Sequence, residues 1–191
     1  MRQPDRTLTL DNIDAIIRDE YTDISALGGS IHGLTGLPLL KALKRTPLAN
    51  GPYPGVTLFE AANRVMTDLV ILHGVAGLLR EQIFPFTSYR VEFGHEHYNY
   101  FDIEASSNDL TLIGEAFNVA PSFFTIKKGS ALNKLREKGS NADIRLIMVN
   151  EDAVSTSYAP KDEDGLHYVF VNIDTRQIRV LPKPTEIPRQ V

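Results

Sequence analysis

A chain of 191 residues, 42% hydrophobic and 23% charged, has globular composition and enough length to bury one sizeable core, which excludes a disordered or fibrous protein. It contains no cysteine, which excludes disulfides, thiolate metal sites and a cysteine nucleophile and fits a reducing, cytoplasmic setting. A formal net charge of −4 gives no general attraction to nucleic acid or to an anionic membrane, so binding to either needs a local basic patch.

The opening "MRQPDRTLTL" lacks the continuous apolar core of a signal peptide. The stretch "TLDNIDAIIRDEYTDISAL" spaces its apolar residues at helical intervals, with Thr9 or Asp11 placed to cap the start. A Gly-rich break, "GGSIHGLTG", leads to a short helix, "LPLLKALKR". The segment "NGPYPG", Asn50 to Gly55, is dense in turn residues and reads as a loop, with an active-site flap as the functional alternative. A long amphipathic helix is expected from about Leu58 to Arg80, capped by Thr57 with Glu60 as its capping-box partner. Glu60, Arg64, Asp68 and His73 within it argue for a core helix rather than a membrane span, and His73 reads as a core or boundary histidine.

Strands follow "FPFT": "SYRVEFG", "YNYFDIEA" and "LTLIGEAFNVA" are rich in β-branched and aromatic residues, and "SSND" reads as a tight hairpin turn. The next segment, "SFFTIKKGSALNKLREKG", reads as a helix interrupted or re-aimed at Gly129. After it come a buried strand, "ADIRLIMVN", and a strand pair, "LHYVFVNIDTRQIRVLP", turning at "DTRQ". The tail "PKPTEIPRQV" holds three prolines and should be extended. This order predicts one α/β (α+β) domain with a mixed central sheet flanked by helices. Its parts are an N-terminal helical extension (1–55), a core (56–150), a C-terminal hairpin (151–180) and a Pro-rich tail (181–191).

Carboxylates in strands call for an explanation. Asp102 and Glu104 share one strand face by alternation, and one hairpin register sets Asp102 beside Glu115. Two carboxylates that close repel, and a shared Mg²⁺ relieves the repulsion while supplying a Lewis acid. The alternative places Glu104 in solvent and pairs Glu115 with a Lys or Arg. His95 and His97 form a His-x-His pair on one strand face, a transition-metal ligand pattern or else an exposed turn. The helix carrying Lys127, Lys128, Lys134, Arg136 and Lys138 has Glu137 as its only acid over that run. Such a face can track a phosphate backbone, or can simply be a solvated helix surface. The aromatic residues Tyr89, Phe93, Tyr98, Tyr100 and Phe101 read as sheet packing, with base stacking as the alternative. No G-x-S-x-G elbow or Walker-type loop is present.

A helix with Glu60, strands "YRVEF", "YFDIEA" and "LIGEAFNV", helix "FFTIKKGSALNKLR" and strand "DIRLIMV" follow one another in a way that resembles the core of the PD-(D/E)XK (restriction-endonuclease-like) nuclease superfamily, over about residues 56–150. The resemblance implies hydrolysis of phosphodiesters in nucleic acid with Mg²⁺ or Mn²⁺ held by Asp102 and Glu115. It places Glu60 near the metal and leaves Glu104 as a reserve ligand. The family's lysine, two residues after the second acid, falls here on Phe117, which can neither orient water nor stabilise charge on a phosphate. Lys127 or Lys128 would substitute for it, and Lys134 lies on the same helix. Two rival readings stay open. One is a non-catalytic scaffold that holds nucleic acid, a protein partner or a second copy through the basic helix or the terminal hairpin. The other is a metal-binding protein built on His95 and His97.

Overall fold

Seven strands form one mixed sheet whose spatial order follows the chain, and four α-helices pack with it in an α+β fold. The computed structural model describes residues 7–25, 27–94 and 100–184. The strands are β1 (Thr7–Thr9), β2 (Ser88–Val91), β3 (Ile103–Ser106), β4 (Thr111–Phe117), β5 (Ile144–Asn150), β6 (Leu166–Asn172) and β7 (Gln177–Leu181). Strands β1 to β4 pair antiparallel, β4–β5 and β5–β6 pair parallel, and β6–β7 closes antiparallel. The parallel strands lie in the middle, where both faces are covered. Their near-continuous apolar runs, "LIMV" in β5 and "YVFV" in β6, are the signature of that position.

The helices are α1 (Ile13–Ile24), α2 (Gly36–Arg45), α3 (Leu58–Arg80) and α4 (Pro121–Lys138). On one face, α3 packs Leu72, Val75 and Leu78 against Leu112, Leu146, Met148 and Val169 of the sheet. On the other, α4 packs Phe124, Ala131 and Leu135 against Phe117, Ile147, Val149 and Phe170. Helix α3 is long and apolar enough to cross a membrane, yet 72% of its most apolar window is buried inside the fold. Two of its glycines set how closely it approaches. A Cβ on Gly74 would fall on the Met148 side chain, and one on Gly77 would meet Ile178 at 2.7 Å.

The N-terminal region and α4 depart from the sequence expectation. Thr7–Thr9 pair with β2 as an edge strand, which takes Thr9 out of any helix, and α1 starts later, behind Asn12. Neither Thr9 nor Asp11 caps it. The Asn12 amide instead fastens the turn, accepting from the Thr9 N–H at 2.9 Å and donating to the Thr7 carbonyl at 2.8 Å. Helix α4 runs unbroken through Gly129. One glycine costs a helix only about 1 kcal/mol, and the packing of Phe124, Ala131 and Leu135 on either side outweighs it. The long helix has the expected bounds, with the Thr57 hydroxyl accepting from the Glu60 N–H at 3.3 Å. Only that half of the capping box forms, because the Glu60 carboxylate turns forward to Arg64 at 2.5 Å.

Candidate active site

The β3–β4 hairpin sets the site. Its turn is closed by the Ser107 N–H on the Leu110 carbonyl at 2.9 Å, and Ile103 lies opposite Gly114. The ladder ends there: Asp102, expected on the strand face beside Glu104, lies in a bend just before β3, next to Glu115. The Asp102 carboxylate accepts the Ala116 N–H at 2.8 Å, and its backbone carbonyl accepts the Glu92 N–H at 2.9 Å. Both bonds fix the carboxylate at the mouth of the hairpin. Glu115 shares its strand face with Ile113 and Phe117, turned toward α4, and is only 9% exposed.

From α4, Lys134 brings its ammonium to 2.6 Å from Glu115 Oε1 as an ion pair. The same ammonium lies 5.6 Å from the centre of the Phe101 ring. Burial, and then the negative charge of Asp102, push the Glu115 carboxyl up from 4.5 to about 7; Lys134 draws it back only in part. Among the described residues no three His, Cys, Asp or Glu side chains gather closely enough to hold a metal by themselves. Two carboxylates suit a hard cation such as Mg²⁺, which keeps several waters and completes its shell with substrate phosphate.

The remaining expected residues lie elsewhere. Glu60 is on α3, which covers the opposite face from Glu115, and is held by Arg64, so it is not brought to the carboxylates. Glu104 faces Arg90 and Ile113 across the sheet rather than Glu115. Lys128 donates to the Tyr158 hydroxyl at 3.2 Å, and Lys127 is exposed; of the helix cations, Lys134 is the one placed at the acidic pair. Arg136 pairs with Glu163 at 2.5 Å, and the Lys138 ammonium lies 5.5 Å from the Tyr100 ring centre. Arg136, like Lys134, thus already has a carboxylate against it. His95 and His97 lie outside the described residues.

Two buried clasps around this end of the sheet were missed in sequence. Asp68, 2% exposed on α3, accepts the Tyr53 hydroxyl and the Gly94 N–H, the latter at 3.0 Å. It thereby ties the "NGPYPG" loop to the exit of β2, and burial together with the Asp68 charge drives the Tyr53 pKa upward. Asn150 at the end of β5 accepts the Val119 N–H at 2.8 Å and donates to the Val119 carbonyl at 3.0 Å, pinning the path from β4 into α4. An aspartate on an otherwise apolar helix face was the available signal, because a buried charge must find donors. No protein-family model, curated protein or solved structure matches the chain.

Proposed function

We propose that the chain is a divalent-metal-dependent phosphodiester hydrolase of nuclease type, with Asp102 and Glu115 as the metal-binding acids and Lys134 in the role of the family's lysine. The observation that carries this reading is the Lys134 ammonium 2.6 Å from Glu115, where the strand itself offers only Phe117. The succession α3, β2, β3, β4, α4, β5 supports it, since it runs in the order that the PD-(D/E)XK resemblance implies. Bound Mg²⁺ or Mn²⁺ would supply Lewis acidity and a more acidic water. The chain's own residues do the rest. The Ala116 N–H orients the Asp102 carboxylate. Glu115, paired with Lys134 and beside Asp102, would hold the metal with it. Lys134, 36% exposed, reaches both Glu115 and solvent and is placed to stabilise charge on a phosphate. Lys127, Lys128 and Lys138 continue a cationic stripe along α4 for the nucleic-acid backbone. A cytoplasmic location goes with this reading.

The ion pair also favours a second reading. With Lys134 opposite Glu115, the same scaffold can stand without metal as a non-catalytic binder of nucleic acid or protein. Calorimetry with Mg²⁺ and Mn²⁺ on wild type and Glu115→Ala, with circular dichroism of both, separates the two. The hydrolase reading expects binding that the folded variant loses, together with divalent-dependent cleavage of DNA or RNA. Absence of cleavage on single- and double-stranded DNA and RNA with Mn²⁺ present overturns it and leaves the binding scaffold.

A further inference from the structure

Helix α2 buries none of its residues fully. Its Leu39, Ala42 and Leu43 are half-buried and the helix contacts α3, while Leu37 and Leu40 are 63% and 58% exposed. Spaced by three and four residues, Leu37, Leu40, Lys41 and Lys44 line one outward face, and Arg45 borders it. The Lys44 ammonium stands 3.2 Å above the centre of the Phe59 ring, itself 48% exposed, so the face runs on to the first turn of α3. Nothing acidic lies between Asp23 and Glu60 in a chain whose net charge is −4. Glu60 is engaged by Arg64, and Asp68 is buried under Tyr53.

We propose that this face docks the protein on an anionic lipid surface, with α2 lying in the headgroup plane. Exposed leucines and a phenylalanine interleaved with three cations are what such a surface accepts: the apolar side chains enter the acyl boundary while the cations stay among phosphates. A nucleic-acid backbone would use the cations and leave Leu37 and Leu40 in water. Each cation near an anionic leaflet strengthens binding by about fivefold, so three turns of helix give reversible, salt-sensitive attachment. This placement does not depend on the carboxylate site.

The test is flotation of the full chain with vesicles of phosphatidylcholine alone or of equimolar phosphatidylcholine and phosphatidylglycerol. The expected result is flotation with the anionic vesicles only, weakened by added salt. The pair Leu37→Gln with Leu40→Gln, and the set Lys41→Gln, Lys44→Gln and Arg45→Gln, should each reduce binding by about tenfold or more while circular dichroism stays unchanged. Wild type that stays unbound overturns the proposal, as does flotation that neither variant set weakens. An oligonucleotide bound through the three cations with no vesicle binding also overturns it. So does a dimer that the leucine variants dissociate without any vesicle binding.

Discussion

Glu115→Gln is expected to stabilise the protein by about 3 kcal/mol at pH 8 and to leave it little changed near pH 4. Burial and Asp102 raise the Glu115 pKa from 4.5 to about 7 in the folded chain. The native state thus keeps a proton that the unfolded chain has already released. The stability that neutral Glu115 allows is complete below 4.5 and is lost as pH rises through about 7. At about 1.4 kcal/mol per pKa unit the loss comes to about 3 kcal/mol. His73, on the other face of the sheet, does the reverse. Burial, with the charges of Arg176 and Arg80, lowers it from 6.5 to about 4, while its Nε2 meets the Tyr21 hydroxyl at 3.0 Å. Its contribution is complete above 6.5 and is lost as pH falls through about 4, again about 3 kcal/mol. The two windows overlap, so their slopes cancel in the wild type between about pH 4.5 and 6.5. In Glu115→Gln stability should climb with pH across that window, and in His73→Gln it should fall. Urea unfolding followed by far-ultraviolet circular dichroism, at several pH values, reads all three proteins; the chain has no tryptophan to follow. Parallel curves for wild type and Glu115→Gln would refute a desolvated Glu115. If Mg²⁺ binds the pair, millimolar Mg²⁺ should recover stability at pH 8 in wild type but not in Glu115→Gln.

Lys134→Met should drive the Glu115 pKa higher still, because Lys134 is the main group that lowers it, and on the hydrolase reading should abolish divalent-dependent cleavage. Carboxyl titration by nuclear magnetic resonance and a nuclease assay read these effects, with Lys127→Met expected to leave the Glu115 pKa where it is. The substitution Gly→Ala should have opposite signs on two helices. At Gly129 an added Cβ meets nothing within 4 Å, so the gain is about 0.5–1 kcal/mol. At Gly74 it falls on the Met148 side chain, and thermal unfolding should show a loss of about 1–3 kcal/mol. Tyr53→Phe removes one of the donors to buried Asp68 and should cost roughly 1–3 kcal/mol, with faster proteolysis in residues 50–55.

The long elements were legible because each carries its own period. Leu58–Arg80 and the "LIMV" and "YVFV" strands need only their local pattern and their caps. The Thr7–Thr9 strand was not legible, since three residues become a strand only when Arg90, Tyr89 and Ser88 arrive beside them. The acidic pair could be read because a short turn sets hairpin register and so which residues end up close. Which lysine serves it could not. Phe123, Phe124 and Ile126 are all apolar, yet Phe124 is buried while Phe123 and Ile126 are exposed, so the phase of α4 over the sheet is a tertiary result. The same holds for Glu60: a helix-start acid looks alike whether its helix covers one face of the sheet or the other.

Strand order that follows chain order means each strand emerging from a ribosome finds its neighbour already made. Helix α3 is the exception. It is synthesised before β2 and before the strands β4 to β7 that it contacts, and Ile178, which packs over Gly77, comes from the last of them. Until β7 appears, a helix of membrane-spanning length waits without part of its cover. A message truncated just short of β7 would therefore yield a chain whose most apolar segment lacks the part of its cover that β7 supplies, with nearly all of its sheet already paired.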